Sequence, residues 1–218
     1  MSIAVDGPVA SGKSAVGRLL AGHLGWRFLD TGAMYRAVTW VAIRRGVGLE
    51  DEEALTILAS SLDIKLIAGE VGDRLVVDGQ DITAFMRHPE VEAGVSLVSK
   101  VSGVRSALVK QQRTIAEQGP IVMVGRDIGT VVLPDARLKV FLNASVEVRA
   151  RRRHMEAHSP GRSPGYHQVV DDLMRRDKMD TERADSPLRP AEEACQIETD
   201  NLEVEEVAQK ILSILERR

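Results

Sequence analysis

The stretch that decides the fold is Gly7-Pro8-Val9-Ala10-Ser11-Gly12-Lys13-Ser14, which has the P-loop pattern G-x-x-x-x-G-K-S. A short apolar run, Ser2–Asp6, precedes it and is typical of a buried parallel strand, and apolar residues at helical spacing follow it. The glycines allow a tight turn that points successive N–H groups inward, and the start of the helix adds partial positive charge. The sequence therefore predicts a phosphate-binding loop between the first strand and the first helix.

All eight residues of this loop are candidates for binding the phosphates of ATP. Lys13 can reach the β- and γ-phosphates, and the Ser14 hydroxyl can ligate Mg²⁺. At average residue usage the four fixed positions coincide by chance in about one chain in a hundred of this length. The surrounding strand and helix make chance a weaker explanation still.

The composition excludes several classes of protein. The 218 residues suffice for one α/β domain, and a formal net charge of -3 argues against general nucleic-acid binding, although not against a local basic pocket. The one cysteine, Cys195, excludes an internal disulfide and a zinc site built from several cysteines. No apolar run approaches the ~20 residues of a membrane span, and Met1 leads straight into a strand rather than a signal peptide. We therefore expect a cytoplasmic protein with a single domain, 1–218, and no membrane or nucleic-acid partner. A monomer is a separate expectation, because the sequence does not give the oligomeric state.

Further apolar runs predict four more strands, at 26–30, 121–124, 138–142 and 195–199, and an amphipathic helix at 204–215. Open α/β sheets bind ligands at the carboxyl ends of their strands. Candidates for binding an acceptor therefore follow two of these strands: Thr31, Tyr35 and Arg36 follow the one at 26–30, and Arg126 and Asp127 follow the one at 121–124. The alternative for Tyr35 is an aromatic residue of the core.

The segment from 63 to 83 has a different pattern. Polar and apolar residues alternate over 63–68, a second strand-like run covers 73–78, and turn residues lie at 69–72 and 78–79. This predicts a small antiparallel sheet, inserted at about 61–95 in an otherwise parallel α/β protein. Two helices are expected to follow, the second over about 104–117, and Ser96 and Arg105 lie in this region.

An arginine-rich helix is expected after the strand at 138–142, with Ser145 as its N-cap. Arg149, Arg152 and Arg153 share one face of this helix, and like charges placed in this way repel one another unless an anion lies among them. A solvated basic face is the alternative. The loop at 159–165 contains hinge-like residues, so helix and loop together predict a lid over about 149–166.

The next helix, from about Tyr166, carries Arg176, Asp180 and Arg183 on one face, because their spacing is i, i+4 and i+7. The alternative is a surface row of ion pairs, which adds little stability.

Together these features favour an ATP-dependent kinase for a small anionic acceptor. Transfer to an acceptor that is itself a phosphate brings two anions together, so catalysis requires positioning and charge neutralisation. Arginine suits this task because it is permanently charged and binds phosphate in a bidentate manner. The absence of an N-K-x-D guanine motif weighs against a GTPase, and the chain is short for a motor domain.

Four stretches together resemble bacterial-type cytidylate kinases: 7–14, 30–36 (D-T-G-A-M-Y-R), 125–132 (G-R-D-I-G-T-V-V) and 176–183 (R-D-x-x-D-x-x-R). The resemblance covers nearly the whole chain, although Val124 stands where many relatives carry an acidic residue. It implies a three-layer P-loop nucleoside-monophosphate-kinase fold with a five-stranded parallel sheet, an acceptor-binding arm at about 32–100 and a helical lid. It also implies that CMP and dCMP are phosphorylated by ATP with Mg²⁺, as a step of pyrimidine metabolism.

The resemblance further implies roles for particular residues. Those that would hold the acceptor phosphate are Arg36 and Arg126, those around the cytosine are Ser96, Arg105, Asp127 and Arg183, and those at the sugar are Arg176 and Asp180. The residues that would act on the transferring phosphoryl group are Lys13, Arg149, Arg152 and Arg153. Two other functions remain open from the residues alone: a P-loop kinase with another acceptor, for instance of shikimate type, and a regulator that binds nucleotides without catalysis.

Overall fold

The computed structural model describes residues 1–67, 74–156 and 165–217. The predicted turn at 69–72 and all but the last residue of the predicted loop at 159–165 lie outside these ranges. The strands of the described residues are β1 (Ser2–Asp6), β2 (Arg27–Asp30), β3 (Ile64–Ile67), β4 (Arg74–Val77), β5 (Gln80–Asp81), β6 (Ile121–Gly125), β7 (Leu138–Asn143) and β8 (Cys195–Glu198). The α-helices are α1 (Lys13–Leu24), α2 (Thr31–Arg45), α3 (Glu52–Ser61), α4 (Pro89–Lys100), α5 (Ser102–Glu117), α6 (Val146–Glu156), α7 (Tyr166–Glu182) and α8 (Val204–Glu216).

Five strands form a parallel sheet in the order β2-β6-β1-β7-β8, which confirms the predicted fold. Every residue of β6 is buried, as is typical of a parallel strand with neighbours on both sides. Asp6 at the end of β1 lies opposite Gly125 of β6 and Phe141 of β7. The loops that follow these strands therefore leave from the same edge of the sheet.

The chain packs into two compact units. The first consists of Met1–Arg27 with Pro120–Arg218, and fully buried side chains such as Ile3, Met123 and Leu138 form its core. The second is Phe28–Gly119. It contains the predicted acceptor-binding arm, 32–100, within its range.

The predicted antiparallel insert is confirmed as a three-stranded sheet, β3-β4-β5, in the second unit. Asp78 and Gly79 join β4 to β5 with φ angles of 49° and 82°, as a two-residue hairpin turn requires. The two-residue strand β5 was not predicted. Because α4 begins at Pro89, the last residues of the predicted insert at 61–95 are helical, and α4 and α5 are the two helices expected there.

Ser145 caps α6 as expected, because its hydroxyl accepts a hydrogen bond from the backbone N–H of Val148 at 3.4 Å. The arginine-bearing helix therefore begins at Val146, three residues after the end of β7 at Asn143. Within the described part of the chain, no helix has both the length and the apolar character needed to cross a membrane.

Candidate active site

The loop after β1 is packed so closely that its first glycine has no room for a side chain. Gly7 has a φ of 152°, and a Cβ at this position would overlap the carbonyl oxygen of Leu142 in β7. Gly12, with a φ of 91°, is the N-cap of α1. The chain therefore turns sharply from β1 into the start of α1, where the backbone N–H groups of the first helical turn and the helix dipole favour an anion.

The ammonium group of Lys13 is folded back over this loop. Its Nζ donates to the carbonyl oxygen of Pro8 at 2.6 Å and to Ser11 Oγ at 3.3 Å, and the residue is only 6% exposed. Burial of a cation is costly unless polar groups compensate it, and here they come from the loop itself. The positive charge is thereby held at the predicted phosphate site.

Ser14 lies in the first turn of α1 with its side chain exposed. No group of three or more histidine, cysteine or carboxylate residues that could hold a metal occurs among the described residues. A site with the Ser14 hydroxyl and no surrounding group of carboxylates fits Mg²⁺, because that ion commonly takes most of its ligands from substrate phosphates and water.

Arg149 is buried beneath the phosphate loop. Its Nε donates to the carbonyl oxygen of Ala144 at 3.0 Å, and its Nη1 donates to that of Val9 at 3.3 Å and lies 2.7 Å from Asp177 Oδ2. Because the residue is only 4% exposed, a solvated basic face does not describe it. Arg149 links the phosphate loop to α6 and α7.

The other two predicted arginines of α6 have different partners. Arg152 donates to Thr199 twice, from Nη1 to Oγ1 at 3.1 Å and from Nη2 to the carbonyl oxygen at 2.6 Å. The single Thr199 hydroxyl hydrogen is in turn shared between the carbonyl oxygens of Asn143, at 3.0 Å, and of Ser11 in the phosphate loop, at 3.4 Å. Arg153 forms an ion pair with Glu156 of the same helix at 3.3 Å. Arg152 is thus connected to the phosphate loop through Thr199.

Four of the predicted acceptor-binding residues of the first unit lie together at the ends of β6 and α7. Arg126 Nε is 2.8 Å from Asp180 Oδ2, and Arg183 Nη1 is 3.5 Å from Asp180 Oδ1. Arg183 Nη2 is 3.9 Å from Asp127 Oδ1. The Arg183 side chain is only 6% exposed, so the cluster is not the surface row of ion pairs that the sequence left as an alternative.

Asp180 is the carboxylate that the arginines of this cluster share. Burial raises its pKa, but the charges of Arg126, Arg183 and Arg176 outweigh that effect and hold the pKa below its usual value. Asp180 therefore stays ionised near neutral pH and fixes the directions of two guanidinium groups.

The second unit contains five more of the predicted residues, and two of these, Thr31 and Arg36, lie in the first turns of α2. Thr31 is the first residue of this helix, where the Asp30 side chain accepts a hydrogen bond from the Gly32 N–H at 3.0 Å. One turn later, Arg36 Nε is 2.9 Å from Glu92 Oε1 of α4. The guanidinium of Arg36 is thus oriented by a carboxylate next to a helix N-terminus.

Arg105 of α5 stacks on Tyr35, with 5.4 Å between its Cζ and the ring centroid, and donates from Nη1 to the carbonyl oxygen of Ser99 at 3.1 Å. Both residues are buried, so Tyr35 also fits the alternative of a core aromatic. Ser96 is half-buried on α4, and its carbonyl oxygen accepts a hydrogen bond from Ser99 Oγ at 3.2 Å.

The structure adds residues that the sequence did not single out: Asp6, Glu92, Asp177 and Thr199. Of these Asp6 is the most buried carboxylate, at 3% exposure. It accepts hydrogen bonds from the N–H groups of Ile128 and Gly129, each at 2.8 Å, and burial nevertheless raises its pKa to about 6. The sequence feature that could have identified Asp6 is its position as a charged residue at the carboxyl end of a buried strand, directly before the phosphate loop.

Comparisons of the sequence with known proteins indicate one family along the whole chain. A family model described as "Cytidylate kinase" matches residues 3–217. The cytidylate kinase of Bacillus velezensis is 46% identical over 218 residues, which cover 100% of this chain and 97% of that protein. The cytidylate kinase of Carboxydothermus hydrogenoformans is 45% identical and covers 100% of this chain and 98% of its own. A solved structure, the shikimate kinase from Bacteroides thetaiotaomicron, gives a TM-score of 0.50 at 15% identity over 99% of this chain and 98% of its own, a likeness of fold alone.

Proposed function

This chain belongs to the cytidylate kinase family, and we propose that it transfers the γ-phosphoryl group of ATP to CMP and dCMP, producing CDP and dCDP. The observation that carries the proposal is the family match over residues 3–217, because this range includes every candidate residue. A shikimate-type kinase is not favoured, since the likeness to shikimate kinase is limited to the fold.

In the proposed reaction an oxygen of the acceptor phosphate forms a bond to the γ-phosphorus, and the bond from that phosphorus to the β-phosphate oxygen breaks. The charge shifts towards the β-phosphate as the bond breaks. Lys13 lies where it can neutralise that charge, and the N–H groups at the start of α1 bind the phosphates. Ser14 would hold Mg²⁺, which would supply further neutralisation of the phosphates.

Arg149, Arg152 and Arg153 act on the transferring phosphoryl group in this proposal. The support for Arg149 and Arg152 is their attachment to the phosphate loop, directly through Val9 and indirectly through Thr199. A guanidinium that is already oriented loses little freedom when it binds a phosphate oxygen, so it favours the transition state efficiently.

The acceptor is recognised by charge at its phosphate and by hydrogen bonds at its base. Arg36 and Arg126 bind the acceptor phosphate, and Asp127 accepts a hydrogen bond from the cytosine amino group. Uracil has a carbonyl oxygen at that position, which an ionised carboxylate repels. The preference for cytosine over uracil therefore depends on Asp127, and Ser96, Arg105 and Arg183 complete the contacts with the base.

The remaining candidate residues contact the same acceptor. Arg176 and Asp180 bind its sugar, and Thr31 and Tyr35 border it. Asp180 is suited to accept from a sugar hydroxyl because it is held in the ionised form. We also propose that the enzyme is a monomer in the cytoplasm. Light scattering on the purified chain should then give the mass of one chain.

An acceptor panel tests the function. The purified chain is supplied with ATP, Mg²⁺ and one of CMP, dCMP, UMP, AMP, GMP or shikimate, and ADP release is followed by a coupled assay. We expect turnover with CMP and dCMP and at least tens-fold lower kcat/KM with UMP. Turnover that depends on shikimate would assign the other kinase class, and no acceptor-dependent turnover would indicate a binding protein.

A further inference from the structure

Asp6 joins two segments that are far apart in the sequence. It is the last residue of β1 and immediately precedes Gly7 of the phosphate loop. Its Oδ1 accepts from the Ile128 N–H and its Oδ2 from the Gly129 N–H, each at 2.8 Å. Those two amides open the helical turn Ile128–Val132, which directly follows Asp127.

The contact leaves little room for displacement. A Cβ added to Gly129 would lie 3.3 Å from Cγ of Lys139 in β7, which is tighter than ordinary van der Waals contact, and 3.4 Å from Asp6 Oδ2. Both oxygens of the carboxylate are used, and two N–H donors need two acceptors. An ionised carboxylate offers only acceptors, whereas an asparagine would turn an N–H₂ group towards one of the amides.

We propose that Asp6 is a positioning residue, which holds the turn that directly follows Arg126 and Asp127 against the strand that leads into the phosphate loop. The consequence for catalysis rests on the function proposed above. The residues that bind the acceptor and the loop that binds the donor are then anchored to the same carboxylate, and in-line transfer requires the two to keep their relative placement.

The charges around Asp6 explain why this contact responds to pH. Burial is the main effect that raises its pKa to about 6, and Asp127 in the same turn raises it further. The two amide hydrogen bonds and the charge of Lys13 in α1 lower it, and Lys139 of β7 borders the turn at Gly129. Protonation removes the charge and turns one of the two acceptor oxygens into a hydroxyl, which is a weaker acceptor, so the contact weakens as the pH falls through about 6.

The test compares wild type with Asp6→Asn and with a matched control, Asp51→Asn. Asp51 also accepts a backbone N–H, from Ala54 at 3.0 Å, but it caps α3 at an exposed position in the other unit. Hydrogen exchange by mass spectrometry reports on the peptide 126–133. We expect exchange there to be about tenfold faster in Asp6→Asn, the loss of roughly one hydrogen bond, and unchanged in Asp51→Asn.

Kinetics separate positioning from general stability. We expect kcat/KM for CMP to fall by about a hundredfold in Asp6→Asn, while the Kd of a non-hydrolysable ATP analogue, measured by calorimetry, stays unchanged. Exchange and kcat/KM equal to wild type would overturn the proposal. An equal loss of analogue binding and of kcat/KM, with a lower Tm, would also overturn it, because Asp6 would then support the fold as a whole.

Wild type alone provides a test that does not require a variant to fold. As Asp6 is protonated near pH 6, the amide ¹H shifts of Ile128 and Gly129, followed by NMR, should titrate together, and titration of one amide without the other would contradict the proposal. Exchange and NMR do not depend on the acceptor. If the wild type does not phosphorylate CMP, the proposed function is wrong. The anchoring of the turn by Asp6 is still decided by the exchange and NMR measurements.

Discussion

Two groups of arginines in the first unit are held by different kinds of partner. Beside the phosphate loop, Arg149 and Arg152 donate to three backbone carbonyl oxygens in all, although Arg149 also pairs with the carboxylate of Asp177. At the ends of β6 and α7, Arg126 and Arg183 share the carboxylate of Asp180. A carbonyl oxygen orients a guanidinium without cancelling its charge, whereas a carboxylate does both.

The difference indicates that the two groups of arginines have different functions. Cations oriented by carbonyl groups keep their net charge for a phosphate whose charge shifts during transfer, so changes there should act mainly on kcat. Cations paired with carboxylates form an array of donors and acceptors that suits the recognition of a polar ligand, so changes there should act on selectivity and KM.

Lys13→Met should give the largest effect, because it removes the cation that lies over the phosphate loop. We expect kcat to fall about a thousandfold or more, while binding of CMP changes little. Steady-state kinetics and calorimetry with CMP measure the two quantities, and Lys110→Met, at an exposed position of α5, serves as the control. A variant that keeps more than about a tenth of the wild-type kcat would remove Lys13 from transition-state stabilisation.

The two buried carboxylates, Asp6 and Asp180, should respond oppositely to pH. Burial raises the pKa of Asp6 from 3.8 to about 6, so between those values the folded state binds more protons than the unfolded state. The contribution of Asp6 to the free energy of unfolding therefore decreases as the pH rises, by about 3 kcal/mol in total. The arginines lower the pKa of Asp180, so its contribution is present at neutral pH and is lost as the pH falls below about 4.

Urea unfolding between about pH 4 and pH 7 measures this contrast. The free energy of wild type minus that of Asp6→Asn should decrease over the range, whereas the corresponding difference for Asp180→Asn should be larger at neutral pH than near pH 4. Equal slopes for both variants would mean that the arginines do not distinguish the two carboxylates.

Asp127→Asn should change selectivity more than rate. The amide keeps the shape of the side chain but adds an N–H₂ donor that the uracil carbonyl can accept. We expect the CMP/UMP ratio of kcat/KM to fall from at least tens-fold towards one. Asp135→Asn, in an exposed loop, is the control. If both substrates lose the same factor, Asp127 is a structural partner of Arg183, and base selection lies elsewhere.

Local patterns were enough to predict much of the fold. The apolar run of β1, the glycines of the loop and the turn at Asp78 and Gly79 each express a short-range preference of the backbone. The strand β5 has only two residues and shows no alternation. The helix α3 was not predicted, although the side chain of Asp51 caps it in the structure.

The partners of the site residues could not be predicted in the same way. Asp6 and Ile128 are 122 positions apart, and Arg126 and Asp180 are 54 apart. Such pairs depend on the order of the strands in the sheet, and no local preference encodes that order. The sequence thus identified Arg126, Asp180 and Arg183 as candidates, whereas their shared carboxylate became evident only from the structure.

Asp177→Asn tests the residue at which the two groups of arginines overlap. Arg149 belongs with the arginines held by carbonyl groups, yet its Nη1 is also 2.7 Å from Asp177 Oδ2. Asparagine keeps an acceptor but removes the charge, so Arg149 is held less firmly, at a cost of about one charge-assisted hydrogen bond. We expect kcat to fall about tenfold, with KM for CMP unchanged because the carboxylate shared by the other group is intact. The control is Asp172→Asn, which breaks an exposed ion pair with Arg175 on the same helix. An increase in kcat would mean that Asp177 restrains Arg149 instead of orienting it, and Arg149 would then belong with the arginines whose charge a carboxylate cancels.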